Sequence, residues 1–137
     1  MYLLDTNVIS ELRKPHGSQV VRGWILRRRP DDLYLRVITV MEIELGIRRC
    51  ARRDEVQGQR LRQWPQREVL DLFEGRLLAV DTETALTAAS LQAPDPRPGR
   101  DCLVASTALV HNMGIVTRNI RDFKPMSRHV INPWEAD

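Results

Sequence analysis

Cysteines, lysines and long apolar runs are scarce in this sequence, and each shortage argues against a class of protein. Its 137 residues include two cysteines, Cys50 and Cys102, which form no CxxC pair, so neither a disulfide framework nor a structural zinc site is expected. The longest apolar run, residues 102–110, is far shorter than the roughly 18 residues that cross a bilayer. Asp5 follows three apolar residues with no basic segment before them, which argues against an export signal. These features predict a cytoplasmic protein that does not interact with membranes.

The sequence signatures of several enzyme classes are missing as well. His16, His111 and His129 have no HExxH or similar spacing, which argues against a histidine-held metal. No P-loop, GxGxxG or GxSxG motif is present. Because no histidine is placed to activate it, Cys102 is interpreted as a core residue rather than a nucleophile.

Lysine contributes little to the positive charge of the chain. There are 21 Lys and Arg against 18 Asp and Glu, and Lys14 and Lys124 are the only lysines. Planar guanidinium groups suit phosphate and carboxylate recognition, although genomic codon bias explains an excess of arginine equally well. The net charge of +3 is modest for a nucleic-acid-binding protein. A local acidic cluster would leave the remaining surface more basic than that sum indicates.

Short apolar runs that alternate with amphipathic segments are what the sequence does contain. Strands are predicted at residues 2–4, 33–38, 77–80, 115–117 and 130–131. Helices are predicted after Asp5, over residues 18–28, 39–53 and 54–75, from Asp81 to before Pro94, and over residues 102–111. Pro65 is expected to break the helix of residues 54–75 near Trp64. This alternation predicts an α/β fold with a central parallel sheet, and the length allows one domain.

Four polar residues fall just beyond the predicted strands or early in the helices that follow them. Asp5 ends the first strand, Glu42 lies in the first turn of the helix after the second, Asp101 caps the helix of residues 102–111, and Asn119 follows the fourth strand. Ligands of an open parallel sheet bind beyond the carboxyl ends of its strands, so these residues are expected at one edge. Carboxylate and amide oxygens favour a hard cation, which predicts a site for Mg²⁺ or Mn²⁺.

Each of the acids also has an interpretation that needs no ligand. Asp5 and Asp101 have the residue type of helix N-caps, and Thr39 to Glu42 has the form of a capping box. Capping does not require three acids and an amide to meet at one sheet edge, which favours a functional cluster.

Several spaced segments resemble the PIN-domain VapC-type toxins, and most closely their FitB-like branch. They are DTNVIS at residues 5–10, TVME at 39–42 with Gly46, DCLVASTA at 101–108, TRNIRDF at 117–123 and NPW at 132–134. The resemblance covers the whole chain. It implies one PIN-like domain over residues 1–137, with a three-layer α/β/α fold. It also implies an endoribonuclease that depends on Mg²⁺ or Mn²⁺, and Asp5, Glu42 and Asp101 match the core acids of the family.

The same resemblance implies a biological setting. Proteins of this kind are toxins of type II toxin–antitoxin pairs, usually dimeric, and each is neutralised by a small VapB-like antitoxin in a hetero-oligomer. The implied substrate is a structured RNA such as a tRNA, cut to leave 5′-phosphate and 3′-hydroxyl ends.

Two features depart from the family pattern. Many relatives have an aspartate where this chain has Asn119, which removes one negative charge from the site; Asp122 either compensates or is a surface charge. Pro65 lies in a region expected to be helical in relatives, and its purpose is unexplained.

The expected mechanism is metal-assisted hydrolysis of a phosphodiester. An ion held by Asp5 and Asp101 would lower the pKa of a bound water and neutralise phosphate oxygens, while Glu42 orients that water or holds a second ion. Thr6, Asn7 and Thr117 are candidates to hydrogen-bond these carboxylates and fix their orientation.

The helix after Thr39 suggests a path for RNA. At 100° per residue Glu42, Arg49 and Arg53 share one face, with the arginines about 10 Å and about 16 Å along the helix from Glu42. This spacing matches one or two phosphates. The alternative is ordinary solvated arginines, some paired with Glu42, Asp54 or Glu55.

Two other functions stay open at this point. An aspartate-nucleophile phosphatase needs an acid two residues after its nucleophile, but position 7 is Asn7. A non-catalytic module that binds nucleic acid or protein is the other alternative, because Asn119 is also what a degenerate site would contain.

Overall fold

A parallel sheet forms the centre of the computed structural model. The structure describes residues 1–63 and 65–135, and it describes side chains for all of these except residues 63 and 65–67. The strands are β1 (Tyr2–Leu4), β2 (Leu33–Arg36), β3 (Leu77–Leu78), β4 (Gly114–Val116) and β5 (Val130–Ile131). Their order is β3-β2-β1-β4-β5, and each neighbouring pair is parallel. The predicted parallel sheet is therefore confirmed.

Helices cover both faces of this sheet. They are α1 (Thr6–Arg13), α2 (Gln19–Leu26), α3 (Val37–Arg53), α4 (Glu55–Gln63), α5 (Pro65–Leu72), α6 (Thr82–Gln92), α7 (Gly99–Val110) and α8 (Ile120–Phe123), with a 3-10 turn at Pro30–Asp32. Successive strand residues point to opposite faces, so Leu4 joins the apolar cluster under α1 to α3 and α5, while Leu3 joins the cluster under α6 to α8. The three-layer α/β/α prediction is confirmed.

Two predicted helix starts are wrong. Helix α3 begins at Val37 with Arg36 as its N-cap, so Thr39 and Glu42 lie inside the helix and form no capping box. Helix α7 begins at Gly99 after Pro98, which places Asp101 at the third helical position instead of at the cap. Strand β2 is correspondingly two residues shorter than predicted, and α7 starts three residues earlier.

The segment around Pro65 is divided as expected. Helix α4 ends at Gln63 and α5 begins at Pro65, where a first helical position tolerates the missing N–H. Trp64, where the break was predicted, lies outside the described residues. Gly75 closes the segment in the left-handed region, at φ 78°. Within the described ranges, no helix is long and apolar enough to cross a membrane.

Candidate active site

Asp5 occupies the centre of the carboxyl edge of the sheet, directly after β1. It is the N-cap of α1, where its Oδ1 accepts a hydrogen bond of 2.9 Å from the backbone N of Thr6. Its Oδ2 accepts one of 2.8 Å from the Thr117 hydroxyl and one of 3.4 Å from the Asn7 amide. One oxygen of Asp5 therefore caps α1, and the other is oriented by Thr117, which directly follows β4, so capping alone does not account for its contacts.

The buried Thr117 hydroxyl connects Asp5, Asn7 and Asn119 through hydrogen bonds. The residue is fully buried, and its hydroxyl also accepts hydrogen bonds from the Asn7 side chain, at 3.3 Å, and from the backbone N of Asn119, at 3.1 Å. Thr6, Asn7 and Thr117 were predicted as supporting residues; Asn7 and Thr117 contact Asp5, and Thr6 contacts Glu42.

Glu42 lies one turn into α3 and faces the same edge. Its Oε1 accepts a hydrogen bond of 3.2 Å from the Thr6 hydroxyl, which is also 3.1 Å from the Thr39 hydroxyl. Thr39 is fully buried at this contact with Thr6. The carboxylate of Glu42 also pairs with Arg36 at 3.3 Å and with Arg100 at 3.7 Å.

Arg36 is the most buried of the site residues that the sequence analysis missed, which also include Arg100, Lys14, Arg118 and Trp134. Arg36 is 1% exposed, and its Nη2 lies 3.3 Å from Glu42 Oε1 and 3.8 Å from Asp5 Oδ1. Burial lowers the pKa of its guanidinium, while the Asp5 and Glu42 carboxylates oppose that change. An arginine remains a cation even so. Strand β2 was predicted to run to residue 38 but ends at Arg36, so the rule that identified Asp5, a polar residue at the end of a strand, did not reach it.

Asp101 approaches the same edge from the first turn of α7. Partial burial is the main reason that its pKa is raised, and the negative charges of Asp122 and Asp5 add to this effect. The positive charge of Arg36 acts in the opposite direction. Asp101 therefore lies close enough to Asp5 and Arg36 for their charges to act on it, as the topology of the sheet predicts.

Asn119 and Asp122 flank this group on the side of β4. Asn119 is exposed and is the N-cap of α8, a short helix that the sequence analysis did not predict. Asp122 is exposed as well, and its charge acts on Asp101 more strongly than that of Asp5 does.

Part of this group lines one cavity of about 440 Å³, whereas Thr117 and Asp122 lie outside its lining. Six of the predicted site residues line it, together with basic and aromatic neighbours such as Lys14, Arg118 and Trp134; the six are Asp5, Thr6, Asn7, Glu42, Asp101 and Asn119. The guanidinium of Arg118 stacks on the Trp134 ring at 5.1 Å. A cavity with acids at its base and cations at its rim suits a phosphate-containing ligand held through a cation.

The carboxylate oxygens of the cavity fit Mg²⁺ or Mn²⁺ in a site where water molecules supply several of the ligands. Among residues 1–63 and 65–135, no three acidic, histidine or cysteine side chains are gathered closely enough to hold an ion alone. Mg²⁺ is usually bound by one or two carboxylates and keeps several waters. Asp5 and Asp101 are two carboxylates of this kind; Asp5 and Glu42 both also have protein partners, Asp5 with three hydrogen-bond donors and Glu42 with two arginines and a threonine.

Arg49 and Arg53 lie outside this cavity. Both are exposed on α3, and neither forms an ion pair within the described ranges. The alternative in which they pair with Glu42, Asp54 or Glu55 does not occur there; Arg36 and Arg100 pair with Glu42 instead.

Comparison with known proteins places this site in a family. A family model described as PIN domain matches residues 2–128. The chain is 34% identical to the VapC ribonuclease Y4jK of Sinorhizobium fredii and to the toxin FitB of Neisseria gonorrhoeae, with 98% of this chain and 99% of each relative covered. A solved structure of FitAB bound to a DNA fragment matches at a TM-score of 0.82 and 33% identity, over 100% of this chain and 98% of that one. The chain belongs to the PIN-domain family, among its VapC-type toxins.

Proposed function

We propose that the protein is an endoribonuclease that depends on Mg²⁺ or Mn²⁺ and acts as the toxin of a toxin–antitoxin pair, with residues 1–137 forming one nuclease domain. The observation that carries the proposal is the convergence of Asp5, Glu42 and Asp101, from three separate elements, on one cavity at the carboxyl edge of the sheet. The family and the ribonuclease named among the relatives support this reading.

Asp5 and Asp101 are the residues that would hold the ion. When bound, it would supply a water of lowered pKa and neutralise the charge of the phosphate under attack. Thr117, Asn7 and the backbone N of Thr6 fix the Asp5 carboxylate in one orientation, so it is preorganised before any ligand arrives. Glu42 is held by Thr6 at the cavity wall, where it can accept a proton from an attacking water.

RNA is the proposed substrate, and a structured RNA such as a tRNA is favoured by the family resemblance. Arg118 at the rim, with Arg49 and Arg53 farther along α3, provides positive charge on which a phosphate backbone can lie, whereas Lys14 at the rim is paired with Glu11 at 3.1 Å. Asn119 lines the cavity with Asp101, and Asp122 acts on Asp101 through its charge from outside the lining; one of the two takes the place of the fourth acid of the family. Such a substrate is consistent with the expected cytoplasmic location.

The proposed protein partner is a small VapB-like antitoxin, with the toxin itself forming a homodimer within a hetero-oligomer. Support comes from the relative FitB and from the structure of FitAB on DNA.

The proposal is tested by incubating the pure protein with total RNA, with Mg²⁺ and with excess EDTA, and then mapping the cut ends. Cleavage only with the metal, leaving 5′-phosphate and 3′-hydroxyl ends, is the expected result. Metal binding and cleavage both absent from the wild type would favour a non-catalytic binding module. A phosphoenzyme trapped on Asp5 would favour a phosphatase.

A further inference from the structure

Arg36 has an environment that a purely structural arginine does not need. Its side chain is buried beneath the acidic cavity without lining it, and its ion pairs run from a single nitrogen, Nη2, to Asp5 and Glu42. An arginine offers five N–H donors. Within the described parts of the chain, its Nε and Nη1 are buried and have no hydrogen-bond partner.

That arrangement is costly for the fold. A buried charge is tolerated only when it is paired, and each buried donor left without a partner lowers the free energy of unfolding. Arg76, by contrast, donates to the backbone carbonyls of Pro30, Leu33 and Leu72, and so connects residues 30–33 to the end of α5. Among the described residues, Arg13 and Arg22 also bury a donor without a partner, but Arg36 is the one of the three that lies against two site carboxylates, so its contribution to the site is its charge.

The charge of Arg36 is placed where the proposed ion would act. Its Nη2 lies 3.3 Å from Glu42 and 3.8 Å from Asp5, and its positive charge opposes the rise in the pKa of Asp101, another acid of the cavity lining. A cation fixed next to these carboxylates relieves their repulsion, and it also repels any second cation that they attract.

We propose that Arg36 is a positioning residue that serves as the built-in counter-cation of the acidic site. It holds Asp5 and Glu42 in place before a divalent ion is bound, and it weakens the binding of that ion, so it sets the metal concentration at which the site fills. This inference rests on the proposed metal-dependent function.

The test compares Mn²⁺ and Mg²⁺ binding, by calorimetric titration and by thermal melting, in the wild type and in Arg36→Met. In EDTA the variant melts at least about 5 °C lower, because two carboxylates lose their partner. Its dissociation constant for the metal falls at least about tenfold, because a repelling charge has gone. The metal therefore raises its melting temperature more than that of the wild type.

Three further variants serve as controls for the charge, the folding and the location of Arg36. Arg36→Gln removes the same charge but retains a donor toward Glu42, and it replaces Arg36→Met if that variant does not fold. Arg36→Lys keeps the charge and restores wild-type metal affinity to within about threefold. Arg76→Met removes an arginine outside the site, and it lowers the melting temperature without changing metal affinity.

Two results would overturn the inference, and they are distinguishable. Metal binding of unchanged affinity in both Arg36→Met and Arg36→Gln, combined with its loss in Asp101→Asn, would reject the role of Arg36 and leave the proposed nuclease site intact. No metal binding in the wild type or in either Arg36 variant would reject both proposals.

Discussion

The Thr117 hydroxyl donates a hydrogen bond of 2.8 Å to Oδ2 of Asp5, from a residue 112 positions farther along the chain. The contact is a consequence of register: Leu4 of β1 pairs with Val116 of β4, so the residues that follow them meet at the sheet edge. The backbone N of Asp5 also donates to the Val116 carbonyl at 2.9 Å. The central carboxylate of the proposed active site is thus oriented by the sheet itself.

Thr117→Val should lower RNA cleavage by about 10- to 100-fold at limiting Mg²⁺, because the Asp5 carboxylate loses the donor that fixes its orientation. It should also cost about 1 to 3 kcal/mol in the free energy of unfolding. Cleavage rates across a Mg²⁺ series and thermal melts check both effects. Thr107→Val is the matched control, since that hydroxyl bonds to the Leu103 carbonyl within α7. Wild-type cleavage by Thr117→Val would show that this hydrogen bond is not needed.

Asp101→Asn should make the metal-free protein more stable at neutral pH. Burial and the charges of Asp122 and Asp5 raise the pKa of Asp101, so the folded state binds its proton more tightly than the unfolded state does. Stability is therefore lost as the pH rises from the ordinary pKa of an aspartate through the raised one. In EDTA above that window the variant should gain about 0.5 to 1 kcal/mol, since solvent screens this partly exposed group.

The comparison is made by chemical denaturation in EDTA at several pH values and again in Mg²⁺. The advantage of the variant should fade in acid, where Asp101 is protonated in both states. Mg²⁺ should stabilise the wild type more than the variant. A variant that is less stable than the wild type in EDTA, with no Mg²⁺ effect on either, would mean that Asp101 acts only on the dipole of α7.

Arg49→Ala combined with Arg53→Ala should weaken RNA binding and reduce its salt dependence. Each lost phosphate contact removes close to one unit from the slope of log affinity against log salt, so the pair should remove about 1.5 units. Arg48→Ala with Arg52→Ala removes the same charge from another face of α3 and serves as the control. Binding measured at several salt concentrations decides between them, and equal slopes for the two double variants would contradict the RNA path.

The alternation of strands and helices along the chain could be predicted from the sequence because most apolar runs have a clear period and a clear end. Asp5 could be placed at the sheet edge from Tyr2 to Leu4 alone, since an apolar run that stops at an acid marks both the strand and the helix start. The carboxyl-edge rule likewise brought Glu42, Asp101 and Asn119 to the cavity that they line.

What the sequence did not predict depends on contacts between distant residues. Thr39 has the local pattern of a cap, but its hydroxyl contacts Thr6, 33 positions away, and the helix starts two residues earlier. Arg36 ends a strand in which an arginine ordinarily faces solvent; its burial depends on Asp5 and Glu42, which no local pattern connects to it. Helix α8 is four residues long, too short to leave a periodic signal.

The most direct test of the central claim is the single-turnover rate of RNA cleavage as a function of Mg²⁺ concentration. The wild type is compared with Asp5→Asn and Asp101→Asn, and with Asp81→Asn, which removes a capping carboxylate from α6 outside the cavity. The account predicts that the wild type and Asp81→Asn cut only with the metal, and that the two site variants fold but cut at least about 100-fold more slowly. Wild-type rates in either site variant, or undiminished cleavage in excess EDTA, would contradict it.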